Sequence, residues 1–163
     1  LAVVEREADP HEHLSDTLLV KASREGSEEF TAIECLLKGL EVSMPDGVGY
    51  RDSYGVLRTR ARVRWWLNEP PPLLSDAILA SPAMREQIRG IRWHGEWPTD
   101  VGYAADAPPV FIGHYWLDGE PGPLASNVAC VDYSAAKAGK KLVAYRWDGE
   151  QRLTKDHFVS FST

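Results

Sequence analysis

PPVFIGHYWLDG, residues 108–119, runs from two prolines through Val110, Phe111 and Ile112 to a Gly113–His114 pair backed by two aromatics. The apolar run reads as a buried strand. A glycine at its end lets the backbone turn sharply where a side chain would clash. A histidine just beyond a strand end either projects into a cleft or caps the strand by bonding nearby backbone. The pattern alone leaves both uses of His114 open.

Downstream, the chain reads as strand and turn throughout. NVACVDY (127–133) is, like 110–112, a near-continuous apolar run, as expected of strands covered on both faces. KLVAYRW (141–147) alternates more and predicts one wetter face, with a turn at DGEQ (148–151) and a final strand around HFVSF (157–161). Connections of this length allow antiparallel neighbours without helices.

Upstream, residues 14–90 predict a zone of helices around a hairpin. SDTLLVKASREG places Leu18, Leu19 and Ala22 on one helical face and stops at Gly26. In SEEFTAIECLLKGL, Ser27 is an N-cap and Glu28 and Glu29 suit the positive end of the dipole. Phe30, Ile33, Leu36 and Leu37 form its expected buried stripe, and Gly39 closes it. VGYRDSYGVLRTRARVRWW (48–66) predicts a hairpin turning at Asp52–Gly55. Its second strand alternates, with Leu57, Thr59, Ala61, Val63 and Trp65 opposite Arg58, Arg60, Arg62, Arg64 and Trp66. NEPPPL breaks the chain, because proline continues neither regular structure, and Ser81-Pro82 opens a helix through Ile88 that ends at Gly90. The stretch 91–109 is mostly irregular. The expected fold class is α/β or α+β: a helical N-terminal zone with a β-hairpin, then a C-terminal β-rich sheet portion (108–163), in a single domain over 1–163.

The totals narrow the function classes. A chain of 163 residues can bury a real core, and 44% hydrophobic with 26% charged residues is ordinary globular composition. A formal charge of −6 argues against general nucleic-acid affinity, which needs positive charge against phosphates. Cys35 and Cys130 both sit in apolar segments, which suggests reduced core thiols and a cytoplasmic location. No apolar run approaches the roughly 20 residues that span a bilayer, so no membrane partner is expected.

Residues 109–150, PVFIGHYW…GEPGPLASNVACVDYSAAKAGKKLVAYRWDGE, resemble the C-terminal end of bacterial calcineurin-like metallophosphoesterases. The branch in question is related to serine/threonine phosphatases and diadenosine tetraphosphatases. LLKGLEV (36–42) and RVRWW (62–66) are also similar to segments of that group. The resemblance implies a portion of a calcineurin-like layered sandwich. It also implies a pair of divalent metals (manganese, iron or zinc) whose bridging hydroxide attacks phosphorus in line. His114 matches the family's terminal metal-binding histidine. Where wider relatives have Gly-His-x-His, this chain has Gly-His-Tyr-Trp, which is closer to the protein-phosphatase-like branch. The family's earlier ligand motifs, of the types Asp-x-His, Gly-Asp-x-x-Asp and Gly-Asn-His-Glu or Asp, do not stand at matching positions. DPHEH (9–13) holds ligand types in Asp9, His11 and His13, but its place matches no family motif and a near-terminal His-Glu-His is more often solvated surface. The resemblance therefore implies the C-terminal part of a larger phosphoesterase domain, with residues 14–90 as a cap-like zone and little or no activity in isolation.

Other candidates stand beside bland alternatives. Asp132 either orients the metal site or accepts backbone N–H groups in the turn that follows. Asn127 is a second supporting residue of that site or a strand-entry turn residue. Arg64, in RVRWW, is the candidate for substrate phosphate, since guanidinium forks suit phosphate; the arginine face is otherwise solvated and paired with Asp and Glu, which outnumber Lys and Arg by 24 to 18. Six tryptophans suggest a loop-rich core, or a base-stacking platform. His94 and His157 have no partner visible in sequence and are expected to be structural or surface residues. The expected function is metal-dependent hydrolysis of a phosphorylated substrate, completed by a missing N-terminal half. The alternative is a non-catalytic binding or self-associating domain that keeps the scaffold without its metals. A nucleic-acid binder using the arginine strand is the weakest of the three.

Overall fold

The computed structural model describes residues 2–7, 14–52, 55–99 and 101–162. Helices and strands each take 23% of the chain, so neither dominates and the class is a small mixed α/β fold. It divides into two compact units, Leu1–Glu41 and Val42–Thr163. The boundary falls inside the stretch 14–90, which carries no proline or glycine run there to mark it.

The first unit holds α1 (Ala2–Glu7), α2 (Asp16–Ala22) and α3 (Glu28–Lys38), each packed against the other two. Serines start the last two helices, as expected for Ser27. Ser15 Oγ accepts from Leu18 N–H at 3.1 Å, and Ser27 Oγ accepts from Phe30 N–H at 3.0 Å. The Ser27 hydroxyl also donates to the Lys21 carbonyl at 3.0 Å, so one side chain ends α2 and begins α3. Leu18 is fully buried. The stripe expected on α3 is only half realised: Phe30 and Ile33 are half-buried, whereas Leu36 and Leu37 are exposed. Three helices this short have too little surface to cover a full apolar stripe.

In the second unit the hairpin forms where expected. Strands β2 (Tyr50–Arg51) and β3 (Leu57–Arg58) pair antiparallel, and Asp52 closes the turn: its carbonyl accepts from Gly55 N–H at 2.9 Å and its Oδ1 accepts from Val56 N–H at 3.0 Å. The long alternating second strand does not persist. At Thr59 the chain changes partner, and β4 (Arg60–Arg62) pairs with β1 (Glu41–Ser43), the Thr59 carbonyl accepting from Met44 N–H. Leu57 and Thr59 are consequently exposed, Ala61 and Val63 are buried, and Trp66, expected on the arginine face, is buried. Alternation holds only while one sheet continues, and here it changes hands.

The proline break at 70–72 leads into a short helix not anticipated from sequence, α4 (Leu74–Ala77), and then α5 (Pro82–Gln87), capped by Ser81 with Pro82 at its first position. Met44, Ala61, Leu74, Ala77, Ile78, Met84 and Ile88 form the core here, with Trp93 and Trp97 packed over it edge to face. The isolated bridge Val63↔Ile78 carries the sheet edge onto residues 77–79.

The sheet that positions the site has three strands, β5 (Val110–Ile112), β6 (Pro123–Ala125) and β7 (Val128–Cys130), in the order β5-β7-β6. β7 is central and buried throughout, as its apolar run predicts; β5 is parallel to it in the register Val110↔Val128, Ile112↔Cys130. β5 is less covered than its apolar run predicts: Val110 and Ile112 are half-buried, and Phe111, partly exposed, packs on Tyr145 and Trp147; β6, antiparallel to β7, has no counterpart in the sequence reading. β8 (Lys141–Tyr145) and β9 (Phe158–Ser162) form a separate antiparallel ribbon, joined by the loop that contains DGEQ.

Candidate functional site

The register Ile112↔Cys130 leaves His114 and Asp132 each two residues past the end of one of two neighbouring parallel strands. The carboxyl ends of parallel strands are where open α/β sheets place their ligands. Two backbone bonds stitch the loops together here: Val131 N–H to the Ile112 carbonyl at 3.0 Å, and Leu117 N–H to the Asp132 carbonyl at 2.9 Å.

Three non-glycine residues among those described have left-handed φ, and all lie in these two loops: His114 at 66°, Trp116 at 49° and Ser134 at 62°. Each such residue costs roughly 1–2 kcal/mol, so the surrounding contacts must hold it there. The sharp turn expected of Gly113 is thus made by His114 itself. Gly113 is outside the left-handed region, and a Cβ on it would meet nothing closer than the Asp132 Cβ at 3.9 Å.

The His114 ring is exposed, with its centroid 6.2 Å from that of Trp116, and the Lys137 ammonium lies 4.8 Å over the Trp116 ring. Between them Tyr115 turns inward, and its hydroxyl accepts from Trp65 Nε1–H at 2.9 Å. Trp65 in turn meets Trp66 and Tyr103 edge to face. The tryptophan that follows Arg64 therefore braces the loop that carries His114.

Asp132 behaves as a turn aspartate, its Oδ1 accepting from Ser134 N–H at 3.0 Å. Its carbonyl faces the Cys130 thiol at 3.8 Å, and burial pushes that thiol above its ordinary range, so Cys130 is an inert core residue.

Asn127 is not brought to this site. It enters the opposite end of β7, five residues before Asp132, roughly 15 Å away along an extended chain. There it is 1% exposed, and its Nδ2 donates to the carbonyls of Ala104 and Ala107 at 2.8 and 2.9 Å. A loop that lacks regular structure must find donors for its carbonyls, and Asn127 supplies two. Arg64 is likewise held elsewhere: its Nε donates to the Ile78 carbonyl at 3.3 Å, near Arg85 and Asp76. Of the neighbouring arginines, Arg58 is paired with Asp52, Nε and Nη2 both 2.8 Å from Oδ2. DPHEH lies outside the described residues.

A second polar cluster had no signal in the sequence beyond the residue types themselves. In the loop between β8 and β9, Glu150 Oε1 accepts from the Tyr145 hydroxyl at 2.6 Å and lies 2.8 Å from His157 Nδ1, while Oε2 accepts from Asp148 N–H at 2.8 Å. The Tyr145 hydrogen bond leads in lowering the Glu150 carboxyl to about 2, with the Asp148 amide and His157 adding to it. His157, for which the sequence shows no partner and which is expected to be a structural or surface residue, thus pins this loop closed, and Arg146 N–H donates to its carbonyl at 2.9 Å.

No protein-family model, curated protein or solved structure matches the chain. Among the described residues no group of three or more His, Cys, Asp or Glu side chains converges where a metal could be held. The donors present at the strand ends are one imidazole and one carboxylate already engaged by a backbone N–H, against at least four ligands for each ion of a metal pair. By itself this donor set does not fit a two-metal centre.

Proposed function

We propose that this chain is the C-terminal part of a cytoplasmic bacterial metallophosphoesterase that acts on phosphorylated substrates, and that it is inactive in isolation. What supports the reading is one feature above the rest: an exposed imidazole, His114, held in a left-handed conformation just past the end of a parallel strand, with Asp132 just past the end of its neighbour. Strain of this kind in a loop pair at the ligand-binding end of a sheet is characteristic of functional positions. The resemblance of residues 109–150 supplies the chemistry. Under this proposal β5, β6 and β7 belong to a calcineurin-like layered sandwich, and His114 is the one metal ligand this chain contributes. Neutral imidazole suits manganese, iron or zinc, and the missing ligands come from residues other than these. Among the described residues no helix is long and apolar enough to cross a membrane.

The test is calorimetric titration of the chain with manganese and zinc, alongside an aryl phosphate assay. Weak binding of a single ion, abolished by His114→Ala, with no turnover, is the expected result. Tight binding of two ions, or metal binding indifferent to His114→Ala, overturns it.

A second reading, a non-catalytic self-associating domain, is favoured by the β8–β9 ribbon. Its paired residues Leu142↔Phe161 and Ala144↔Val159 share one face, and all four are exposed. Two-stranded ribbons with an apolar open face seek cover. Light scattering over a concentration series decides: a mass that rises with concentration and falls back in Phe161→Lys supports association, and a monomer at all concentrations excludes it.

A further inference from the structure

The two guanidinium groups at the edge of the α4–α5 core have the makings of an anion site that is separate from the His114 loops and independent of the metal proposal. Residues 77–79 run beside 62–64, with Arg64 N–H donating to the Ala77 carbonyl at 2.9 Å and Leu79 N–H to the Arg62 carbonyl at 2.8 Å. Ile78 is extended, at φ −116° and ψ 162°. The carbonyls of Ile78 and Ala80 stand two residues apart in the segment that leads into α5. Both of these carbonyls are taken by arginines: Arg64 Nε donates to Ile78 at 3.3 Å and Arg85 Nε to Ala80 at 3.2 Å. Each guanidinium is therefore anchored by its Nε, with the Nη fork left for something else.

What the protein offers those forks is meagre. Asp76 Oδ1 lies 3.7 Å from Arg85 Nη1, a long and solvent-exposed pair. Arg64 is half-buried and, among the described residues, makes no ion pair of its own. Burial is the main influence weakening its hold on its proton; the Arg85 charge adds to that, and Asp76 opposes it. Two cations share one loosely held carboxylate, and a half-buried cation without a direct counter-ion is costly unless an anion completes it.

We propose that Arg64 and Arg85 form a clamp for a phosphate dianion, each presenting its fork to one side of the same tetrahedral group. Planar forks match phosphate oxygens in pairs, which a lysine ammonium does not, so geometry as well as charge contributes.

The experiment is a titration of the intact chain with inorganic phosphate at pH 8, in EDTA and at constant ionic strength, followed by phosphorus NMR and calorimetry. Saturable one-to-one binding in the wild type is expected. Arg85→Lys, which keeps the charge, weakens it about tenfold, the effect of losing one charge-assisted bond. Arg64→Gln combined with Arg85→Gln removes it, while Arg146→Gln and His114→Ala leave it unchanged. Absence of saturable binding in the wild type, full affinity in Arg85→Lys, or loss of binding in His114→Ala each overturns the proposal. The last outcome would move the anion to the strand-end loops, so the two sites are told apart by the same series.

Discussion

Trp65 Nε1–H donates to the Tyr115 hydroxyl at 2.9 Å, a bond between residues 50 apart in the chain. It joins the segment just after β4 to the loop that presents His114 and so tethers that loop. Trp65→Phe and Tyr115→Phe each remove this bond. Together they should destabilise the chain by less than the sum of the single changes, with a coupling of about 1 kcal/mol. Urea unfolding of the four forms measures it; strict additivity would show that the bond contributes nothing.

The left-handed φ of His114 predicts an ordering of variants. His114→Gly should be more stable than His114→Ala by about 1 kcal/mol, because only glycine adopts φ 66° without a Cβ penalty. Gly113→Ala should be nearly neutral, since its added Cβ would make only ordinary van der Waals contact with the Asp132 Cβ, at 3.9 Å. Thermal melts of the three variants check both statements, and a destabilised Gly113→Ala would restore the turn to Gly113.

Asn127 predicts a structural phenotype with no effect on metal binding. Asn127→Ala leaves the Ala104 and Ala107 carbonyls without their shared donor and should cost about 2–3 kcal/mol. Asn127→Asp should cost more, because a carboxylate then faces two carbonyl oxygens in a buried site. Denaturant midpoints give the two values, and titration with manganese should show the affinity of the wild type in whichever variant folds.

Glu150 gives the chain an acid limit. Its carboxyl is depressed from an ordinary 4.5 to about 2. A lowered folded-state value means that the unfolded chain takes up the proton first, so the stabilisation is complete above about pH 4.5 and is lost as the pH falls towards 2. Melting temperature followed from pH 6 to pH 2 should drop more steeply in the wild type than in Glu150→Gln across that window. Tyr145→Phe, which removes the leading hydrogen bond, should lie between them. Parallel curves for all three would remove Glu150 from the account.

Local chemistry carried much of this fold into plain view. Ser15, Ser27 and Ser81 mark helix starts because a side-chain oxygen one turn ahead of an amide caps it in any context. The buried run VAC and the Asp52 turn are likewise properties of a few adjacent residues. Position was legible for His114 and Asp132 because the strand ends were, and the turn role of Asp132 followed from its residue type.

Tertiary structure alone decided which residues meet. The partner change at Thr59 exposed half of an alternating strand, because alternation says which residues share a face but not what covers it. Nothing near Asn127 in sequence points to Ala104, nothing near Glu150 to His157's role in closing its loop, and nothing near Arg64 to Arg85. Those contacts arise only when separate segments converge, and their strength depends on the burial that convergence creates. The amino-acid order settled what each residue is able to do; the packed chain settled beside which partner it does it.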